Sequence, residues 1–290
     1  MKIAGYDIIP IRVGHFKLDG GAMFGVVPKP LWERQCPADA KNRIEMTTRI
    51  LLLKAQNRTI LVDAGIGDKD DPKFHDIFDI SFPDGNLVHA LQMHDVTPEQ
   101  VTHVIYTHLH FDHAGGSTAI RNGTAVPMFP NAKHYVQSVQ YQHGLTRNPR
   151  DRASYIDANY EPVRSAGLLE FLDTDTEILP GLHLELTSGH TPALQMVRIT
   201  DNQRTVFYPS DLIPMAAHVP GPYIMGYDLF PLTTLNDKEL WLDRAVRGNW
   251  IIVLEHDPHV EAVTVKYDDK GRISVDKIGT LEALSSGVGE

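Results

Sequence analysis

Four residues in one short run could act together: His108, His110, Asp112 and His113, within Thr107-His-Leu-His-Phe-Asp-His113. Imidazole nitrogens and a carboxylate suit zinc and other borderline divalent ions. Beside two such ions, water becomes a nucleophile at neutral pH, so the chemistry this run offers is hydrolysis. The run follows an apolar stretch, Val101 to Tyr106, and a tight loop after such a strand can aim alternate side chains into one pocket. A loop of solvated histidines would need no apolar strand ahead of it. Alone, the run is an incomplete ligand set for two ions. His190, Asp211 and His256 each follow another apolar run at a turn, which brings the set to five histidines and two carboxylates. Singly, each of the three is a weak signal, because a lone histidine is usually structural or exposed.

The elements that must position these residues are marked by Gly and Pro punctuation. Tyr6 to Arg12 reads as a strand. Thr47 to Lys54 and Thr59 to Val62 form a hairpin, and Asp63-Ala-Gly65 ends it with turn chemistry. Leu87 to Met93 is predicted helical, and Pro98 opens a short helix before the Val101 to Tyr106 strand. Lys133 to Gln137 is a short strand. The second half repeats the rhythm. Leu182 to Thr187 runs into Ser-Gly-His190, and Gln195 to Ile199 pairs with Thr205 to Tyr208 around Asp201-Asn202. Asp237 to Arg247 is predicted helical, with Asn236 as N-cap and Leu240, Trp241 and Ala245 toward the core. Trp250 to Leu254 ends at Glu-His256-Asp, and Ala262 to Tyr267 pairs with Ile273 to Ile278 about Lys270-Gly271. This order predicts an α/β (α+β) architecture of two mixed sheets with helices outside, in one domain spanning 1–290.

Two stretches resist periodicity. Residues about 14–43 form an N-terminal arm, and within it Gly20 to Pro37 reads as extended arm or loop carrying Met23, Phe24, Val26, Val27 and Trp32. These could wall an apolar substrate pocket, dock on a second copy of the chain as a homodimer, or pack on the chain's own body. A polar, irregular segment with some helix, about 138–166, reads as a lid-like insertion holding Tyr141, His143, Tyr155 and Tyr160.

Composition narrows the classes. The chain has 290 residues and a formal charge of −10, which disfavours binding to phosphate backbones, so no nucleic-acid partner is expected. No apolar run reaches the roughly 18 residues of a membrane span, and no membrane partner is expected. Asp7, Pro10 and Arg12 interrupt the start, unlike a secretory signal. One cysteine, Cys36, excludes an internal disulfide and fits a reducing, cytoplasmic setting.

With these residues in view, Thr-His-Leu-His-Phe-Asp-His-Ala-Gly-Gly resembles the signature of the metallo-β-lactamase-fold hydrolases. Asp63-Ala-Gly, Ser-Gly-His190-Thr-Pro, Pro-Ser-Asp211 and Glu-His256-Asp are similar to that family's other motifs, in the same order, across roughly Ile44 to Val260. The resemblance implies an αββα sandwich and a dinuclear centre. His108, His110 and His190 would hold one ion, and Asp112, His113 and His256 the other. Asp211 would bridge them, and Asp63 would support the ligand loop. The ions are expected to be zinc, with manganese, iron or cobalt also suited to a His/Asp site. The implied reaction uses a metal-bridging hydroxide, with Asp112 orienting it, on an ester or lactone, with phosphotriesters as a side activity.

The Phe111 variant and the His256-Asp257-Pro258 ending look most like the lactonase and organophosphate-hydrolase branch. Quorum-quenching lactonases usually carry a tyrosine three residues after the bridging aspartate; here Pro214 stands there. Tyr223 is the expected catalytic replacement, with Tyr227 as a second candidate and His218 as either a substrate donor or a surface residue. Two rival readings remain. One is a glyoxalase II-like thioester hydrolase, disfavoured because the C-terminus reads as β rather than as a basic helical region. The other is a non-catalytic metal-binding relative, against which the intact ligand set weighs.

Overall fold

The computed structural model describes residues 1–69, 71–201 and 203–287. Among these, two seven-stranded mixed sheets lie face to face. The first runs in the order Lys2–Ile3, Tyr6–Asp19, Arg43–Ala55, Arg58–Val62, His103–Ile105, Lys133–Gln137, Leu169–Leu172. Its first four strands are antiparallel and the rest join in parallel. The second runs Thr176–Leu179, Leu182–Thr187, Leu194–Thr200, Thr205–Tyr208, Ile251–Val253, Ala262–Tyr267, Ile273–Gly279. Only the Thr205–Tyr208 and Ile251–Val253 pair in it is parallel.

Strand Arg43–Ala55 shows why the layers form. Its centre, Ile50-Leu-Leu-Leu53, is apolar without alternation, as expected when both faces of a strand are covered. Leu51 and Leu53 pack between the sheets, with Leu184, Val197 and Val206 of the second sheet. Ile50 and Leu52 point the other way, onto Leu87 and Leu91 of helix Leu87–Gln92. The outer face of the second sheet buries Trp241, Leu242 and Ala245 of helix Pro231–Gly248. The order helix, sheet, sheet, helix is the expected αββα sandwich, and it brings one end of each sheet's central strands together.

Several boundaries differ from expectation. The first long strand continues to Asp19, and the arm beyond it is not extended. Asp19 caps helix Gly20–Phe24, and Pro28 precedes helix Lys29–Trp32. Met23, Phe24, Val27 and Trp32 are buried against Phe16, Ile44 and Met225 of the same chain, while Val26 is exposed. Most of the surface that suggested a homodimer is therefore spent on the chain's own core. Helix Pro231–Gly248 begins six residues before the expected start. Pro231 sets its first turn, so Asn236 lies inside it rather than at its cap, and Leu240 is half exposed rather than core-facing. The turn expected at Asp201-Asn202 falls partly outside the described residues; Asp201 accepts from the amides of Gln203 and Arg204. Sequence periodicity missed helix Pro72–Phe78, the hairpin Thr118–Arg121 with Thr124–Pro127, and strands Leu169–Leu172 and Thr176–Leu179. It also missed helix Leu281–Ser285, which follows the expected C-terminal hairpin. Among the described residues no helix is long and apolar enough to cross a membrane.

Candidate metal centre

The histidine-rich run leaves the end of strand His103–Ile105 and closes into the short helix Phe111–Ala114. Asp63 holds its entry. The Thr107 amide donates to Asp63 Oδ1 at 2.7 Å and the Thr107 hydroxyl to Oδ2 at 2.7 Å. Its exit lies on the Asp63-Ala-Gly turn. The Ala64 amide donates to the His113 carbonyl, and the Gly116 amide to the Gly65 carbonyl. A Cβ at Gly115 would lie 1.9 Å from the Ile66 carbonyl oxygen, so that backbone approach requires glycine. Asp63 and Ser210 both have left-handed backbones, at φ 61° and 50°. Such non-glycine positions cost on the order of 1–3 kcal/mol and gather at functional sites.

The second half contributes one residue per strand end. His190 follows Leu182–Thr187, Asp211 sits in the turn Ser210–Leu212, and His256 follows Ile251–Val253. Buried Arg49 donates to the carbonyls of Leu254 and Asp257, fastening the His256 loop to the first sheet. Pro214 is buried, and its carbonyl accepts from the His256 amide at 3.0 Å. The position where a tyrosine was expected is thus a brace for the loop.

All seven side chains expected as ligands are buried and meet in one place. His108, His110, His190 and Asp211 form one group whose ligand atoms lie within 4.8 Å of one another, and Asp112, His113 and His256 form a second. Asp211 lies between them. One of its oxygens is 3.1 Å from His190 Nε2, 3.4 Å from His113 Nε2 and 3.6 Å from His108 Nε2, and the other is 3.1 Å from His256 Nε2. Asp112 is 3.8 Å from both His113 and His256. Ring nitrogens also face one another, His110 Nδ1 to His190 Nε2 at 3.2 Å and His113 Nε2 to His256 Nε2 at 3.3 Å. His108 Nε2 and Asp211 Oδ1 are buried without a hydrogen bond. Converging lone pairs that leave each other unsatisfied fit a cation at their centre, and a His/Asp donor set suits a divalent one.

The electrostatics divide the set into groups already in their ligating state and groups that hold a proton. Burial, with the neighbouring imidazoles, holds His108 and His110 well below the ordinary histidine value. Burial works against charge on His190 and His256 too, but Asp211 reverses it and lifts them to about 10 and about 9. Burial would raise Asp211, yet His190, His256 and His113 hold it well below the carboxylate range. Asp211 is thus anionic and His108 and His110 neutral, the states in which these groups ligate metals, whereas His113, His190 and His256 hold, against the carboxylates, protons that a cation would have to displace.

Three of the five rings are aimed by partners behind them. His190 Nδ1 meets buried Asp228 at 3.1 Å. His113 Nδ1 meets Glu255 at 3.1 Å and Asp63 at 3.2 Å. His256 Nδ1 donates to the Thr47 carbonyl at 2.9 Å. Such partners fix ring orientation and raise ligand basicity. Glu255 could have been suspected from its place beside His256; Asp228, 38 residues from His190, carried no signal. Burial, then the nearby Glu255, lifts Asp63 to about 7.

The centre opens into a cavity of about 410 Å³. Met23, Met46, Phe111 and Met225 give it an apolar wall, and Arg150, Asp151 and Ser154 of the 138–166 segment face it. Tyr227 lines it, but Tyr223 does not. Tyr223 is half buried with its ring edge-on to Phe24, and its carbonyl accepts from Lys238. His218 also stays out of the cavity, and it is not on the surface. It stacks on Phe24 at 4.7 Å and donates through Nε2 to the Met23 carbonyl. Within the lid-like segment, Tyr155 packs edge-on to His110 at 4.8 Å, while Tyr141 and Tyr160 belong to the core around the first sheet.

Comparison with known proteins is consistent with this geometry. A family profile described as "Metallo-beta-lactamase superfamily" matches residues 45–256. An N-acyl homoserine lactonase of Bacillus thuringiensis is 28% identical over 163 residues, covering 52% of this chain. The match spans 58% of that relative's own length, so the chain is aligned with little more than half of it. A crystal structure of a probable metal-dependent hydrolase from Staphylococcus aureus superposes with TM-score 0.87 at 30% identity, covering 97% of this chain and 99% of that one. AidC, a dizinc quorum-quenching lactonase, shares the fold with TM-score 0.77 at 20% identity, covering 95% of each chain.

Proposed function

Because the chain belongs to the metallo-beta-lactamase superfamily, we propose that it is a dinuclear metal-dependent hydrolase acting on esters or lactones. One observation carries the reading: two adjoining sets of buried donors meet at Asp211 with hydrogen-bonding capacity left over. In this reading His108, His110 and His190 hold one ion, Asp112, His113 and His256 the other, and Asp211 both. Bound divalent ions, zinc by preference for this donor set, supply Lewis acidity and lower the pKa of water toward neutrality. The chain's own residues do the rest. Asp112 stands at the cavity floor, where a carboxylate can take a proton or orient a water. The Met- and Phe-rich wall excludes solvent and receives an apolar substituent. Tyr227, rather than Tyr223, is the phenol at the cavity, and we assign to it the contact with substrate expected of a tyrosine.

The lactone preference leans on the name of the Bacillus relative and on the small, largely apolar cavity. A thioester hydrolase of glyoxalase II type is less favoured, because residues 262–279 form a β-hairpin and the helix after it has only five residues. Metal analysis, with hydrolysis of a γ-lactone, an aryl ester and S-lactoylglutathione, tests the reading. Turnover of the lactone or aryl ester above the thioester, lost with the metal, supports it. Preference for the thioester selects the rival, and metal-loaded protein inert to all three leaves a binding module.

A further inference from the structure

Among the described residues, His110 is the one histidine of the five whose ring has no hydrogen-bond partner outside the ligand set. His108 Nδ1 meets the Thr107 hydroxyl at 3.1 Å, and His113, His190 and His256 meet carboxylates or a carbonyl. His110 Nδ1 faces His190, and its Nε2 is buried without a partner. The aromatic ring packed on His110 from outside the set is Tyr155, with centroids 4.8 Å apart and planes at 76°. Tyr155 is itself fixed from several sides. Its hydroxyl donates to Gln140 Oε1 at 2.9 Å and lies 2.7 Å from Thr191 Oγ1. Gln140 Nε2 donates onward to Thr191 Oγ1 and to the Pro192 carbonyl. With the Thr191 hydroxyl donating to Tyr155, the three side chains close a ring of hydrogen bonds in which every member is buried. Gly144 of helix Ser138–Thr146 backs the phenol: a Cβ there would stand 3.1 Å from Tyr155 Cδ1. His143 of the same helix packs edge-on to it at 5.5 Å, and Arg147 donates to the Tyr155 carbonyl at 3.0 Å.

Tyr155 therefore meets the centre at two points: its ring on His110, and its hydroxyl on Thr191, the residue after His190. No hydrogen bond or ring contact among the described residues joins it to Asp112, His113 or His256. An imidazole without a polar partner behind it is held only by packing, and a ligand is as well aimed as the side chains that lock its rotamer. We propose that Tyr155 is a positioning residue of the metal centre, which aims His110 with its ring and steadies the His190 loop with its hydroxyl. This deepens the hydrolase reading and rests on its division of the ligands: His110 and His190 share one ion, so Tyr155 governs the affinity for that ion and not for the other.

The test is chelator competition on zinc-loaded protein, which gives a dissociation constant for each ion, in wild type, Tyr155→Leu and Tyr155→Phe, with circular dichroism reporting the fold. Tyr155→Leu removes both contacts and should weaken one ion by about 10- to 100-fold while the other stays within about two-fold. Tyr155→Phe keeps the ring and should weaken the same ion only by roughly a few-fold. With cobalt(II) in place of zinc, the visible ligand-field bands should change in Tyr155→Leu and stay close to wild type in Tyr155→Phe. In a His110→Ala background the ring has nothing to aim, so adding Tyr155→Leu should cost no more than Tyr155→Phe costs alone. Both constants unchanged in folded Tyr155→Leu, or both weakened alike, would overturn the assignment, as would a full effect of Tyr155→Leu in His110→Ala. If Tyr155→Leu does not fold, Tyr155→Phe decides by the same criterion, since loss of the hydroxyl must then weaken one ion selectively. Wild type with two ions and a Tyr155→Leu that matches it removes this assignment alone. Wild type that binds no ion removes the hydrolase reading and the assignment together.

Discussion

Two buried polar centres of the molecule use their burial in opposite ways. Around Asp211, side-chain atoms converge on one another and remain unsatisfied: His108 Nε2 and Asp211 Oδ1 have no hydrogen bond, and pairs of ring nitrogens face each other at 3.2 and 3.3 Å. Around Lys238, each charge or donor is consumed by backbone. Its ammonium donates to the carbonyls of His218, Pro220 and Tyr223 at 2.8–3.0 Å, and His218 donates to Met23. Both centres hold titratable groups with displaced pKa values, the property often used to find active sites. Displacement alone would have ranked them together. What separates them is convergence: His108 Nε2, His110 Nε2 and Asp211 Oδ1 are left unpaired within one cluster, whereas around Lys238 the donors are spent on backbone and His218 Nδ1 is a single unpaired atom.

Substitutions sharpen that contrast. The largest effect is expected at the first centre. His190→Ala should lower metal stoichiometry and hydrolysis together, activity by roughly a thousand-fold or more, because it removes a ligand and leaves Asp228 buried without its partner. Unchanged metal content would take His190 out of the ligand set. Lys238→Met should act on stability instead. Three hydrogen bonds to carbonyls that no longer meet a donor predict a loss of about 3 kcal/mol in denaturant unfolding, with two ions per chain still bound. Loss of metal in the folded variant would join the two centres.

Asp228→Asn probes the boundary between them, since Asp228 supports His190 and also accepts from the Met225 amide. Metal affinity should fall by about 10- to 100-fold, measured by chelator competition, with little change in folding. The smallest effect is a pH dependence. Burial lowers His218 to about 4. Between roughly 6.5 and 4 the unfolded chain therefore takes a proton that the folded chain refuses, and stability falls as the pH drops through that window. His218→Gln keeps an N–H for the Met23 carbonyl and cannot titrate. At pH 5.5 it should be spared about 1 kcal/mol of the acid loss relative to wild type. Parallel acid-denaturation curves for the two proteins would remove that group from the account.

What could be read from the sequence follows the same division. The seven candidate ligands were legible because their chemistry is unusual for their position: acid and imidazole directly after apolar strands. The central strands were legible because Ile50 to Leu53 and Ile251 to Val253 are apolar on both faces. The supporting groups were not. Asp228, Arg49 and Lys238 act on partners brought near only by the tertiary fold, and their local sequence looks like ordinary turn or helix surface. The arm was read as extended arm or loop, without helix, because Gly20 to Trp32 has no sustained period. Its two short helices, of five and four residues, are stabilised by the burial of Met23, Phe24 and Trp32 rather than by propensity. Tyr223 and Tyr227 were candidates from one loop, and the sequence does not show the turn at 225–228. That turn brings Met225, Gly226 and Tyr227 to the cavity and leaves Tyr223 against Phe24.

The most direct measurement is the number of divalent ions retained per chain after exhaustive dialysis of zinc-loaded protein, with wild type, His190→Ala and His256→Ala side by side. The account predicts two ions for wild type and fewer for each variant, in protein that still folds. A wild-type chain that keeps no ion, or variants that keep as many as wild type, would contradict it.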